Sequence, residues 1–151
     1  MKIQKVAVLG AGVMGQGIAA HLAGAGLPVY LFDIVPPKFS DEDAKMGLTE
    51  KDPRFRNKFA LAGLEAIKKS KPSVIYTQRD LKWITPGNFE DDWEKLKECD
   101  WIVEVVVERL DIKRSVFEKI EKVLKPGAVV SSNTSGIALH SLVEGRSASF
   151  K

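Results

Sequence analysis

The fold of this chain is decided by the stretch Val6-Ala7-Val8-Leu9-Gly10-Ala11-Gly12-Val13-Met14-Gly15. Four apolar residues predict a buried strand, and the Gly-x-Gly-x-x-Gly spacing after them predicts a tight turn into a helix. Gly10 would permit the turn, Gly12 would let a pyrophosphate approach the backbone, and Gly15 would let the helix pack closely on the strand. The free N–H groups at the start of such a helix favour a bound anion.

Three glycines at this spacing are weak evidence alone, because a glycine-rich turn can simply pack a helix on a strand. The surrounding sequence strengthens the prediction: Met14, Ile18 and Leu22 recur at helical spacing, and the apolar run 29–32 ends in Asp33. A carboxylate about 20 residues after the glycines is where the ribose hydroxyls of an adenine dinucleotide are held. The structural alternative for this carboxylate is a helix N-cap or a solvated turn residue. Together these features predict a dinucleotide site.

The same carboxylate favours NAD over NADP as the cofactor. Asp33 would repel the 2′-phosphate of NADP, and no Arg directly follows it. The first nearby cation is Lys38, which lies beyond two prolines.

Composition narrows the class of protein. The 151 residues are 44% hydrophobic and 28% charged, which is typical of one globular domain with a real core. A formal charge of +3 is too small to indicate a nucleic-acid partner, and no apolar run approaches the ~20 residues of a membrane span. The lone Cys99 excludes an internal disulfide and fits a reducing compartment. We therefore expect a cytoplasmic protein without nucleic-acid or membrane partners.

Strand-like and helix-like segments alternate along the rest of the chain. This alternation predicts an α/β fold of the Rossmann type, a doubly wound parallel sheet with helices on both faces. The predicted elements are a helix start at 40–43, a helix over 53–69, a strand at 74–76, a loop or small hairpin over 79–88, a short helix over 89–98, a strand over 101–107, a helix over 112–124 and a strand over 128–130.

Polar residues follow three of the predicted strands, at Asp33, Glu108 and 133–135. Ligands of such sheets bind beyond the carboxyl ends of the strands, so these residues are site candidates. The helix over 53–69 has a basic face that continues to Lys71. Such a face is usually solvated, and the alternative is a dock for the phosphates of an acidic substrate.

Three separate motifs lie at residues 8–19, at 103–113 with Val116 and Phe117 following, and at 132–135. With these motifs the chain resembles the L-3-hydroxyacyl-CoA dehydrogenases, the family of the 3-hydroxybutyryl-CoA dehydrogenases. The resemblance leaves out residues 36–95, where this chain has an enlarged helical insertion after the second strand. It implies an NAD-dependent oxidoreductase of fatty-acid β-oxidation that converts (S)-3-hydroxyacyl-CoA to 3-oxoacyl-CoA.

The resemblance also implies roles for individual residues. Asp33 would hold the adenine ribose, and Ser135 would bind the substrate oxygen at C3, although it could instead cap the segment after it. Glu108 and Lys113 would lie near the nicotinamide, although the alternative is a surface ion pair of little consequence. The residues implied to bind the cofactor are Gly10, Ala11, Gly12, Val13, Met14, Gly15, Asp33, Glu108, Lys113, Asn133 and Ser135. The approximate candidates for CoA binding are Lys68, Lys69 and Lys71.

One expected group is missing from the sequence. The family uses a His, oriented by a Glu, as the base, and that His follows the loop that corresponds to 132–135. The only histidines here are His21, on the predicted first helix, and His140, which nothing in the sequence pairs with a carboxylate. We therefore expect residues 1–151 to be an incomplete NAD-binding domain without its helical substrate and dimer domain, inactive alone, from a homodimeric parent. The alternatives are an NAD-sensing module or another β-hydroxyacid or sugar-nucleotide dehydrogenase.

Overall fold

A computed structural model describes residues 2–150. Its centre is a sheet of five parallel strands in the order β3-β2-β1-β4-β5. The strands are β1 (Val6–Leu9), β2 (Val29–Asp33), β3 (Ile84–Asn88), β4 (Trp101–Glu104) and β5 (Val129–Ser132). The predicted parallel sheet is confirmed.

Helices cover both faces of this sheet. They are α1 (Val13–Gly24), α2 (Asp41–Lys45), α3 (Pro53–Arg56), α4 (Lys58–Lys69), α5 (Leu110–Val123) and α6 (Leu139–Leu142), with 3-10 segments at Gln78–Trp83 and Trp93–Glu98. Successive side chains of a strand point to opposite faces. Val6 and Val8 therefore pack in a core with α1 and α4, whereas Ala7 and Leu9 pack in a second core with α5. Among residues 2–150, no helix is long and apolar enough to cross a membrane.

The strand order places the site. From β1 the chain builds outward through β2 and β3 on one side, then returns to build β4 and β5 on the other. The connections therefore diverge between β1 and β4, and they leave a crevice beyond the carboxyl ends of these two strands. Ligands of doubly wound sheets bind at this switch point.

The predicted helix over 53–69 was wrong in part, and the predicted strand at 74–76 was wrong in full. The helix is interrupted at Asn57, so that α3 and α4 are separate. No strand forms at 74–76, because nearby hydroxyls take the backbone groups that a strand would pair: Ser70 Oγ accepts from the N–H of Val74, and Ser73 Oγ donates to the carbonyl of Ile75.

The predicted loop or hairpin over 79–88 was also wrong, since it contains β3, the strand parallel to β2. Pro86 and Gly87 hid this strand in the sequence, because both residues are unfavourable in a sheet interior. Pro86 is tolerated since β3 is an edge strand. Gly87 is required by packing, because a Cβ there would lie 2.5 Å from the ring of Phe32.

Smaller differences concern where elements end. The strand predicted over 101–107 ends at Glu104, whose side chain accepts a hydrogen bond of 2.7 Å from the N–H of Val106. Residues 105–107, which follow the strand, line the crevice. The strand predicted over 128–130 is β5, and the short helix predicted over 89–98 is the 3-10 segment Trp93–Glu98.

Candidate functional site

The glycine turn between β1 and α1 is determined by close packing. Gly10 has φ +120°, in the region that favours glycine, and a Cβ there would lie 2.5 Å from the carbonyl oxygen of Val105. A Cβ on Gly15 would lie 1.8 Å from the carbonyl oxygen of Gly10. Both positions therefore exclude any side chain, as the spacing predicted.

Gly12, unlike Gly10 and Gly15, is not required by close packing. A Cβ at this position would meet no protein atom within 4 Å, and Gly12 lines both clefts described below. As the N-cap of α1 it also offers no side chain to accept from the first N–H groups of the helix. Open space in front of free N–H groups suits an anion, so the turn fits the pyrophosphate of a dinucleotide.

The first cleft, which we call the Asp33 cleft, lies on the β2 side of the turn. It has a volume of about 580 Å³, and its walls include Ile34, Phe89 and Ile112. The Asp33 carboxylate accepts hydrogen bonds from the N–H of Ala11 at 2.6 Å and from its neighbour Ile34 at 2.7 Å. These bonds fix the carboxylate, and its remaining lone pairs can accept ribose hydroxyls.

Lys119 of α5 also lines the Asp33 cleft, and sequence reasoning missed it. The nearest cation that follows Asp33 in the sequence, Lys38, lines neither cleft. Lys119 is distant in sequence, and only the packing of α5 against the sheet brings it to this wall.

The second cleft, which we call the Glu108 cleft, lies between α1 and the ends of β4 and β5. Its volume is about 360 Å³, and it brings together Met14, Glu108, Asn133 and Ser135. Glu108 Oε1 accepts hydrogen bonds from Thr134 Oγ1 at 2.5 Å and from two backbone N–H groups, of Ser135 at 3.2 Å and Gly136 at 3.0 Å. These bonds, that of the Thr134 hydroxyl above all, lower the pKa of Glu108 to about 2.

Lys113 lies beneath the Glu108 cleft and not on its wall. Its side chain is 0% exposed, and its Nζ is 2.8 Å from Glu104 Oε1 and 3.3 Å from Glu108 Oε2. The alternative of a surface ion pair between Glu108 and Lys113 is therefore wrong. Sequence reasoning missed Glu104, because it lies inside an apolar strand with no polar neighbour to draw attention to it.

The structure does not bring the other candidates to either cleft. Lys68 and Lys69 lie in the last turn of α4, where their Nζ atoms are 3.8 Å and 3.4 Å from the Glu65 carboxylate. Neither they nor Lys71 line the Asp33 or the Glu108 cleft. His140 is exposed on α6 and lines neither cleft.

A parallel sheet with this glycine turn after its first strand, a carboxylate ending its second strand and clefts at its switch point defines a dinucleotide-binding domain of the Rossmann type. The family model described as "3-hydroxyacyl-CoA dehydrogenase, NAD binding domain" matches residues 5–150. The chain therefore belongs to this family, and NAD is its cofactor. The resemblance read from the three motifs is confirmed.

Individual relatives agree with this assignment. A probable 3-hydroxyacyl-CoA dehydrogenase of Bacillus subtilis is 50% identical over 149 residues, which are 99% of this chain and 19% of that protein. A protein of the same description from Deinococcus radiodurans is 46% identical over 151 residues, 100% of this chain and 40% of that protein. The chain thus spans well under half the length of these relatives. The crystal structure of 3-hydroxybutyryl-CoA dehydrogenase from Escherichia coli superposes with a TM-score of 0.63 at 27% identity, covering 96% of this chain and 27% of that chain.

Proposed function

We propose that NAD binds across the glycine turn, with its adenosine half in the Asp33 cleft and its nicotinamide half in the Glu108 cleft. The observation that carries this proposal is that the two clefts share one wall beside the N-terminus of α1. Both are lined by Gly12 and by Val105–Val107, and α1 begins between them. A pyrophosphate at Gly12 would therefore place one nucleoside in each cleft.

We further propose that the chain is the NAD-binding part of an oxidoreductase that converts (S)-3-hydroxyacyl-CoA to 3-oxoacyl-CoA. Bound NAD would accept a hydride from C3 of the hydroxyacyl group. Ser135 would position the substrate oxygen, because its exposed hydroxyl has no hydrogen-bond partner among residues 2–150, while its backbone N–H is held by Glu108. Asn133 would face the nicotinamide from the same loop, and its N–H is held by the Glu104 carbonyl at 2.8 Å.

The remaining parts of the proposal concern the whole enzyme. An acyl-CoA substrate held by a second domain, contacts of that CoA with Lys68, Lys69 or Lys71, a homodimeric parent and a cytoplasmic location all remain predictions from the sequence. The names of the relatives support an acyl-CoA substrate, since they are 3-hydroxyacyl-CoA dehydrogenases.

Calorimetric titration of the chain with NAD⁺ and NADP⁺ tests the cofactor site. We expect NAD⁺ to bind at least tenfold more tightly, because the Asp33 carboxylate would repel a 2′-phosphate. Asp33→Ala should remove most of this preference, whereas Asp41→Ala, which removes an exposed carboxylate from α2, should leave it unchanged. Equal or tighter binding of NADP⁺ by the unmodified chain would contradict the proposal.

A turnover assay tests the catalytic part. With 3-hydroxybutyryl-CoA and NAD⁺, we expect this chain alone to form no NADH, because no histidine of residues 2–150 lines the Glu108 cleft. Activity that disappears in His140→Ala would show that the chain carries its own base and that α6 moves to the cleft.

A further inference from the structure

The floor of the Glu108 cleft is a buried network of charged and hydroxyl groups. At its centre the Lys113 ammonium donates to both oxygens of Glu104, at 2.8 Å and 3.1 Å, and to the carbonyl of Val106 at 3.2 Å. The side chains of Glu104 and Lys113 are both 0% exposed. Ser132 at the end of β5 donates a further hydrogen bond to Glu104. Glu104 thus has several donors and no contact with solvent.

The network continues from the buried floor to the surface of the cleft. Lys113 Nζ lies 3.3 Å from Glu108 Oε2, and the other oxygen of Glu108 holds Thr134, Ser135 and Gly136. The position of the loop that carries Ser135 therefore depends on Glu108. The position of Glu108 depends in turn on Lys113, which is held by Glu104.

The charges of this network do not cancel. Two carboxylates, Glu104 and Glu108, share one ammonium, Lys113, so one negative charge remains in excess. The neighbouring charges do cancel, because Arg109 pairs with Asp111 at 2.7 Å. The nicotinamide ring is cationic in NAD⁺ and neutral in NADH. An excess negative charge beneath the ring would stabilise only the oxidised form.

We propose that Glu104 is a positioning residue of the nicotinamide site which, by keeping one negative charge in excess there, makes the chain bind NAD⁺ more tightly relative to NADH. Glu104 acts through Lys113 and Glu108 and does not touch the cofactor. A carboxylate is needed at this position because an amide or an apolar side chain would leave the Lys113 charge to be balanced by Glu108 alone. This inference rests on the proposed placement of the nicotinamide in the Glu108 cleft.

The test measures the dissociation constants of NAD⁺ and NADH for a set of variants in which the net charge of the network changes stepwise. The charge is −1 in the unmodified chain, 0 in Glu104→Gln, −2 in Lys113→Met and −1 again in the double variant. The phosphates are the same in both forms of the cofactor, so the ratio of the two constants isolates the effect on the ring. Glu118→Gln, which removes an exposed carboxylate of α5, is the matched control.

We expect Glu104→Gln to weaken NAD⁺ relative to NADH by roughly threefold to tenfold, the range that a unit charge gives at about 6–12 Å in an effective dielectric of about 40. Lys113→Met should shift the ratio in the opposite direction. The double variant should return it to within about twofold of the unmodified chain, and Glu118→Gln should leave it unchanged. Should Glu104→Gln fail to fold, as its thermal unfolding would reveal, Glu108→Gln brings the network to the same net charge of 0 at a partly exposed side chain and should shift the ratio in the same direction.

Two results would overturn the inference. Equal weakening of NAD⁺ and NADH in all network variants would show that Glu104 has only a structural role. A ratio that shifts in the same direction when either Glu104 or Lys113 is replaced, although their charges are opposite, would also show that the role is only structural. Failure of the unmodified chain to bind either form would instead overturn the proposed function, so the two failures are distinguishable.

Discussion

The Asp33 cleft and the Glu108 cleft are each lined by the carboxylate for which we name them, but they hold it in different ways. Asp33 is fixed by two backbone N–H groups, one from the glycine turn and one from its own neighbour. Glu108 is fixed by a loop from the next strand and by a buried lysine with a second carboxylate beneath it. A carboxylate that accepts from neutral ribose hydroxyls needs only a fixed direction. One that lies beside a ring whose charge changes during the reaction also needs a controlled local charge.

The two arrangements also differ in what supports them. The partners of Asp33 are main-chain groups, which any sequence that forms the turn provides. The Glu108 side depends on particular side chains from β4, α5 and the loop after β5. Substitutions should therefore destabilise the fold much more on the Glu108 side than on the Asp33 side.

Lys113→Met should have the largest effect. It leaves the fully buried Glu104 carboxylate without its cation, and breaking such a pair lowers the free energy of unfolding by about 3–5 kcal/mol. Urea unfolding measures this loss, and Glu104→Gln/Lys113→Met should recover most of it. Equal stabilities for Lys113→Met and Asp33→Asn would contradict the claim that substitutions destabilise the fold more on the Glu108 side.

Gly15→Ala should have the next largest effect, since Gly15 packs against Gly10 of the glycine turn. The added Cβ would lie 1.8 Å from the Gly10 carbonyl oxygen, so the turn must open, at a cost of about 3 kcal/mol in the free energy of unfolding. NAD⁺ and NADH should both bind too weakly to measure. The control is Gly17→Ala in the same helix, where a Cβ meets nothing within 4 Å. It should stabilise the chain by about 0.5–1 kcal/mol, and a loss of stability there would refute the packing argument.

Asp33→Asn should change binding more than folding. Loss of the charged acceptor should weaken NAD⁺ by about tenfold, the usual effect of a hydrogen bond to a charged group. Because Asp33 faces hydroxyls and not the ring, NADH should weaken by the same factor. This equality is the counterpart of the unequal effect expected for Glu104→Gln, and titrations with both forms of the cofactor check it. An unequal effect at Asp33 would mean that charge, and not hydrogen bonding, governs both clefts.

The smallest effect that we expect is on how the stability of the fold depends on pH in acid. Because the pKa of Glu108 in the folded chain is lowered from 4.5 to about 2, its ionised form stabilises the fold. That contribution is fully present above about pH 4.5 and is lost as the pH falls toward 2. Unfolding curves across this range should show a shallower loss of stability in Glu108→Gln. Thr134→Val should act in the same direction, since it removes the main donor, and an unchanged slope in both variants would contradict the assigned hydrogen bonds.

Much of the site was predictable because its signals are local. The turn at 10–15 and the carboxylate of Asp33 follow a fixed spacing, and the structure joins them through the N–H of Ala11. The strand β3 was not predictable, because Pro86 and Gly87 oppose strand formation locally and only pairing with β2 overrides them. The interruption of the predicted helix at Asn57 was not predictable either, because the apolar residues keep their helical spacing across it.

By itself the sequence determined the cofactor class and the parallel sheet, because glycine spacing and apolar periodicity report on contacts between near neighbours in the chain. The family came from the resemblance carried by the three motifs. Only the tertiary structure decided which charges meet. It buried Lys113 against Glu104, and it turned Glu108 toward the loop at 134–136. It also brought Lys119 to the wall of the Asp33 cleft. Burial and pairing of charges depend on how separate strands and helices pack, and no periodicity along one segment encodes that packing.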